Sequence, residues 1–153
     1  MNSILLALYI ITVIVTFLFM EFVAWFLHKF VMHGFLWILH EDHHKPKGHG
    51  LQKNDIFSVF FSVLAFLLIL RGLLLGFNIF FWMGLGVTAY GIGYFTVHDV
   101  LFHRRIKIKY RPKSAYVKRI LNSHGHHHMK STKEGGIAFG FLYASKKYNV
   151  TPS

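Results

Sequence analysis

Ten of the 12 histidines in this 153-residue chain fall into four clusters. They are His28 and His33 in HKFVMH, His40, His43 and His44 in HEDHH, His98 and His103 in HDVLFH, and His124, His127 and His128 in HGHHH. Neutral imidazole is the side chain best suited to hold a borderline transition metal near pH 7. Scattered, solvated histidines would have no reason to recur as H-x4-H, H-x2-H-H, H-x4-H, H-x2-H-H. One pattern used twice implies two metals. On an α-helix the three rings of H-x2-H-H fall at 0°, about 300° and about 40°, an arc narrow enough to face one cavity and to feed two ions. The two rings of H-x4-H diverge by about 140°. They are therefore expected to serve different metals, or to sit where a helix ends. His49, in Lys47-Gly48-His49-Gly50, reads as a loop residue outside the pattern. His126 would point about 100° from His127 and is not expected to be a ligand.

The chain has no cysteine, which excludes disulfides, thiolate metal sites and a cysteine nucleophile. An all-nitrogen donor set suits Zn, Fe, Cu or Ni, and affinity order alone does not choose among them. Three carboxylates near the clusters, Glu41, Asp42 and Asp99, are candidates for orienting imidazoles by accepting their second N–H. The alternative is that they are solvated or paired with Lys and Arg. Asp55, beside Asn54, is a candidate helix cap.

These rings need elements to hold them, and composition says what kind. The chain is 54% hydrophobic with 17 Phe, and its mean hydropathy is +0.42, too apolar for an ordinary soluble domain of this length. The expected class is an all-α integral membrane protein formed by one domain over residues 1–153. Its spans are expected at about 3–27, 56–75 and 77–97. A helical cap made of 28–53 and 98–153 would carry a dinuclear metal site. A fourth embedded helix would require the segment between His33 and His40, or the C-terminal region, to dip into the bilayer. A cleavable signal peptide fits poorly, because no Lys or Arg precedes the apolar run and no small-x-small site follows it before His28.

A helix from Ser3 to His33 would be about 46 Å long, past a hydrocarbon core of roughly 30 Å. It would lift His28 and His33 clear of the lipid. The third span can continue in the same way through His98 to His103. Gly76 and its neighbours should form a tight turn between the second and third spans, and Gly84, Gly86, Gly91 and Gly93 should mark close helix packing. Arg71 stands near the end of its span, where it can snorkel. Ser114 to Met129 reads as a further helix with Ser114 as its N-cap. The apolar strip Ile137 to Ala144 is too short to span and should pack on the bundle or lie at the interface. Trp25, Trp37, Trp82 and Tyr94 either line an apolar groove or serve as belt and packing residues.

The net charge of +11 is a topology signal. Apart from Arg71, every Lys and Arg lies in 29–53 or 104–147, flanking the histidines. By the positive-inside rule that side is cytoplasmic, and anionic lipid suffices as its partner without nucleic acid. Two crossings separate the first pair of clusters from the second, so all four return to one side and can share a site. A redox metal pair there can attack a lipid-dissolved substrate with dioxygen, for which zinc could not supply electrons.

The motifs themselves resemble the fatty acid hydroxylase superfamily of membrane di-iron enzymes, and within it the bacterial β-carotene hydroxylases. The likeness runs through His28-Lys29-Phe30-Val31-Met32-His33-Gly34, His40-Glu41-Asp42-His43-His44-Lys45-Pro46 and Asn54-Asp55. It resumes at Thr88-Ala89-Tyr90-Gly91, Tyr94-Phe95, Val97-His98-Asp99, His103, the His124, His127, His128 motif and Phe139-Gly140-Phe141-Leu142-Tyr143-Ala144. His126 is an added ring. The resemblance implies O2-dependent hydroxylation of β-carotene at carbon 3 of its β-ionone rings, giving β-cryptoxanthin and zeaxanthin. It also implies two iron ions on the ten histidines, O2 as co-substrate, electrons from a ferredoxin-type partner and a place in the inner membrane. Other readings are a sterol or fatty-acyl hydroxylase or desaturase of the same superfamily, a metal transporter and a bis-His haem protein. A transporter would want polar groups at the bilayer midplane, and a haem would want opposed single histidines rather than dense clusters.

Overall fold

A computed structural model describes residues 2–46 and 50–150; the expectation for His49 lies outside them. Among the described residues there are helices and no strand. In chain order they are α1 (Ser3–Phe26), a wide-turn segment Leu27–Phe35, α2 (Trp37–His44), α3 (Asp55–Leu74), α4 (Ile79–Tyr94), a second wide-turn segment Phe95–Phe102, α5 (Ala115–His128) and a short 3₁₀ turn Lys146–Tyr148. Both wide-turn segments are wound as π-helices. Among the described residues three continuous helices, Ser3–Phe35, Asp55–Leu74 and Ile79–Phe102, are long and apolar enough to cross a membrane. α2, α5 and the 137–144 strip add no fourth.

The chain divides into two compact units. The first contains the N-terminal stretch as far as Met20 together with Ile56–Ile92. Here α3 ends in a Schellman motif. Gly76, at φ +77°, donates its N–H to Leu73 O, and Phe77 N–H reaches back to Gly72 O at 2.8 Å. Asn78 then caps α4 by accepting Phe80 N–H at 3.1 Å. Phe77, expected to open the third span, lies in this turn with φ +58°. A Cβ on Gly72 would stand 2.2 Å from Phe81 N, and one on Gly84 would meet Ile69 Cγ1 at 2.6 Å, so α3 and α4 touch backbone to backbone. A Cβ on Gly86 would meet Thr16 Cβ at 2.6 Å, which seats α4 on α1. Gly91 has open space around it and takes no part in such packing. Trp82 stacks on Tyr9 at 4.9 Å, and the Arg71 guanidinium lies 4.8 Å from the Phe80 ring centroid.

Outward-facing Leu8, Ile11, Leu18, Val59, Phe60 and Leu67 leave the unit apolar all round, as lipid contact requires. Gly72→Leu is expected to force α3 and α4 apart and to lower the thermal midpoint in detergent by an overpacking cost of about 1–3 kcal/mol or more. Circular dichroism melts would check this, and an unchanged midpoint would argue against the close contact.

The second unit contains Glu21–Asp55 and the chain from Gly93 onward. Gly34 breaks the helical path at φ −106°, ψ −125°, turning the chain into α2. Residues 103–114 form no regular element, and α5 starts at Ala115. Ser114 occupies the expected N-cap position, but its side chain makes no capping bond.

Candidate metal centre

All ten clustered histidines come together within the second unit. Among the described residues they form two groups of five, His28, His33, His40, His44 and His127 in the first and His43, His98, His103, His124 and His128 in the second. Within each group the candidate ligand atoms all lie within 4.8 Å of one another. His28 and His127 are fully buried. His126 stands outside both groups, exposed, with its ring 5.4 Å from Tyr148.

The winding of the backbone explains the sorting. Of the two expectations for each H-x4-H pair, separate metals or a place where a helix ends, the first is corrected: His28 and His33 share the first group, and His98 and His103 share the second, while His33 stands beside the Gly34 break and His103 at the C-cap of Phe95–Phe102. An i→i+5 turn stacks residues five apart on one face, as the Leu36 N–H to Val31 O and His103 N–H to His98 O bonds, both 2.9 Å, illustrate. The H-x2-H-H triplets behave as helical geometry predicts and divide. His40 and His44 enter the first group while His43 enters the second, and His124 and His128 enter the second while His127 enters the first. Each group thus holds one wide-turn pair, one i,i+4 pair and one ring contributed by the other half of the chain.

Hydrogen bonds on the far side of the rings decide what these groups can hold. His28, His33, His44 and His127 present Nδ1 to the backbone oxygens of Phe139 (3.0 Å), Lys133 (3.1 Å), Lys130 (2.9 Å) and Ile137 (2.8 Å). His40 Nδ1 faces Asn54 Oδ1 at 2.6 Å. A carbonyl oxygen only accepts, so each Nδ1 carries the proton and each Nε2 is left with a bare lone pair. Those lone pairs face each other. Nε2 to Nε2 distances are 3.2 Å for His28–His40, 3.1 Å for His33–His44 and 3.2 Å for both His33–His127 and His40–His44. Facing acceptors with no proton between them repel, and a cation among them removes the repulsion. Nitrogens bound about 2.1 Å from an ion at right angles are themselves about 3 Å apart, so the spacing fits. The second group has the same spacing, with 3.1 Å for His43–His98, 3.3 Å for His103–His124 and 3.0 Å for His124–His128. His43 Nδ1 is oriented by Gln52 Oε1 at 2.9 Å.

Burial keeps the rings of His43, His44, His103 and His127 neutral. It lowers the pKa of His43 and His44 to about 4 and that of His103 and His127 to about 3. The unfolded chain takes up protons on such rings below about pH 6.5, while the folded one does not until far lower. Their contribution to stability is therefore complete above that pH and is lost as pH falls toward 4. Metal-stripped protein is expected to show a flat melting temperature above pH 7 and a steady decline between pH 6.5 and 4.5. Scanning calorimetry would show it, and a midpoint constant down to pH 4.5 would contradict it.

Residues 13–145 match the family model described as fatty acid hydroxylase. The chain belongs to the fatty acid hydroxylase family. It is 44% identical to a beta-carotene hydroxylase of Pantoea ananas over 132 residues, 86% of this chain and 75% of that protein. A beta-carotene hydroxylase of Paracoccus sp. (strain PC1) is 39% identical over 133 residues, 86% and 82% of the two chains. The chloroplastic beta-carotene hydroxylase 2 of Capsicum annuum is 35% identical over 84% of this chain and 42% of its own. No solved structure matches.

In this fatty acid hydroxylase the oxygens that orient the rings are mostly not the expected carboxylates. Glu41 pairs with Lys45 at 2.8 Å on the surface. Asp42 accepts Lys53 N–H at 2.7 Å. Asp99 approaches a ring, with Oδ1 3.5 Å from His98 Nδ1. Gln52 and Asn54 do that work for His43 and His40, and Asp55, in the first turn of α3, pairs with Arg105. The strip at 137–144 is part of the site. It supplies two of the carbonyls, and Phe141 stacks on His28 at 4.9 Å. Glu21, inside α1, anchors it by accepting the N–H groups of Phe141, Leu142 and Tyr143 at 3.0–3.1 Å. Of the aromatics, Tyr94 stacks on His98 at 4.5 Å and Trp37 packs on His33 at 5.0 Å. A small recess walled by Val97, Phe102, Ile120, Leu121 and Phe141 opens onto His98 and His124.

Proposed function

We propose that this hydroxylase acts on β-carotene, placing a hydroxyl on carbon 3 of each β-ionone ring to give β-cryptoxanthin and then zeaxanthin. The observation that carries the reading is the identity of 38–44% with bacterial beta-carotene hydroxylases over most of the chain. Two iron ions, one on each five-histidine group, are the proposed cofactor. Bound iron would supply redox chemistry by which O2 yields one oxygen atom to the C–H bond and one to water, with two electrons from a ferredoxin-type reductant and two protons from solvent.

The residues provide the rest. Outward Nδ1–H bonds hold the Nε2 lone pairs inward, so the donors need little rearrangement when an ion arrives. Carotene has no polar group, so apolar walls must select the ring carbon, a positioning effect in which no acid or base takes part. The recess between Val97, Phe102, Ile120, Leu121 and Phe141 is the proposed approach to the second group. The Lys and Arg bias supports a centre on the cytoplasmic face of the cell membrane.

Expression in cells that accumulate β-carotene, with a working reductant, tests the proposal by pigment chromatography. β-Cryptoxanthin and zeaxanthin are expected. Unchanged carotene alongside good expression would refute the substrate, and hydroxylated sterol or acyl lipid would reassign it.

A further inference from the structure

Arg105 belongs to neither histidine group, yet its guanidinium gathers several parts of the chain around the second one. Nη1 donates to Asp55 Oδ1 and Nη2 to Asp55 Oδ2, both at 2.7 Å. Nη1 also reaches Asp99 Oδ1 at 3.3 Å, and Nη2 reaches Gly50 O at 3.2 Å. The Arg105 backbone N–H closes on Asp99 O at 3.0 Å. The bidentate fork on Asp55 matches carboxylate geometry in a way an ammonium cannot.

Each part so held leads to an imidazole. Asp55 Oδ2 accepts Gln52 N–H at 3.0 Å, fixing the turn from which Gln52 orients His43 and Asn54 orients His40. Asp99 Oδ1 lies 3.5 Å from His98 Nδ1, a buried nitrogen with no hydrogen-bond partner. Two of the three rings reached in this way, His43 and His98, belong to the second group, and their Nε2 atoms face each other at 3.1 Å.

We propose that Arg105, acting with Asp55, is the positioning residue of the second histidine group, holding the 50–55 turn and Asp99 so that His43 and His98 keep Nε2 turned inward. This rests on the reading that the two groups hold metal. Lysine at position 105 keeps the charge and loses the fork. The first group depends on this clamp only through His40, because its other four rings are oriented by backbone carbonyls.

The experiment measures iron per chain on the full-length protein in detergent, before and during exposure to a fixed chelator concentration, with far-UV circular dichroism as the check on folding. Wild type is expected to hold two ions. Arg105→Lys is expected to lose one of them about 10–100-fold faster, with a much smaller change in the other, whose group the clamp reaches only through His40. Gln52→Leu, which leaves the Arg105–Asp55 pair in place, is expected to weaken the same ion. Two ions held at wild-type rates in both variants would overturn the proposal, as would equal loss of both ions from natively helical protein. If Arg105→Lys loses its helicity, Gln52→Leu decides: selective loss of one ion supports the proposal and retention of both overturns it. A wild type that takes up no iron would instead refute the metal reading of the groups.

Discussion

His127→Ala is expected to disable the first histidine group and spare the second, and His43→Ala to do the reverse, although each residue's chain neighbour serves the opposite group. The exchange of these two rings between groups makes the effects cross over. Each substitution takes one of five inward nitrogens and leaves a void where a lone pair faced the others, 3.2 Å from His33 in one case and 3.1 Å from His98 in the other. Hydroxylation needs both metals in the proposed reading, so either variant should lose more than about 100-fold in turnover, beyond the usual effect of removing an outer hydrogen-bond partner. The measurement is zeaxanthin formed per enzyme, paired with iron per chain. Retained turnover in either variant would remove that residue from the ligand set.

Glu21→Ala should be almost as damaging, although Glu21 belongs to neither group. Its carboxylate accepts three consecutive backbone N–H groups, and losing it strands the part-buried donors of Phe141 and Leu142 at about 1–3 kcal/mol each. Gly140 shows how closely the two segments fit, because a Cβ there would stand 3.0 Å from Glu21 Oε1. The same strip presents Phe139 O to His28 and Ile137 O to His127, so releasing it also frees two rings of the first group. The expected results are a lower melting temperature, loss of hydroxylation and an intermediate phenotype for Glu21→Gln, which keeps one acceptor oxygen. Unfolding followed by circular dichroism in detergent, with product analysis, would test this. A Glu21→Ala protein with unchanged midpoint and product would show that the strip is held by other contacts.

How far these features are legible in the sequence depends on whether local geometry suffices. The division of His40, His43 and His44 follows from ordinary helical angles, because i,i+4 rings share a face and the ring at i+3 leans aside. The union of His28 with His33 does not follow, because only an i→i+5 winding stacks them, and composition does not announce such a turn. No local signal marks Gln52 and Asn54 as ring partners, because they reach rings 9 and 14 residues away through a loop whose path no periodicity encodes. Glu21 reads in one dimension as a blemish in an apolar helix. Its partners lie about 120 residues on and are backbone groups without side-chain signature. The spans were legible because hydropathy over about 20 residues leaves a membrane helix few alternatives. Gly84 and Gly86 were recognisable as packing points, while Gly91 carried the same residue type without the contact.

In the proposed two-metal reading, the exchanged histidines also govern when the protein can be loaded. Completing the first group joins His33 to His127, 94 positions apart, and completing the second joins His43 to His98, 55 apart. An ion there acts as a removable cross-link that restricts the unfolded ensemble much as a long-loop covalent tie would, and it stabilises only the folded chain. A chain emerging from the ribosome has neither five-ring group whole until α5 has been made. If the two groups hold metal as proposed, insertion is a late event in biogenesis, and a polypeptide cut short before α5 would have no finished site in which to keep an ion.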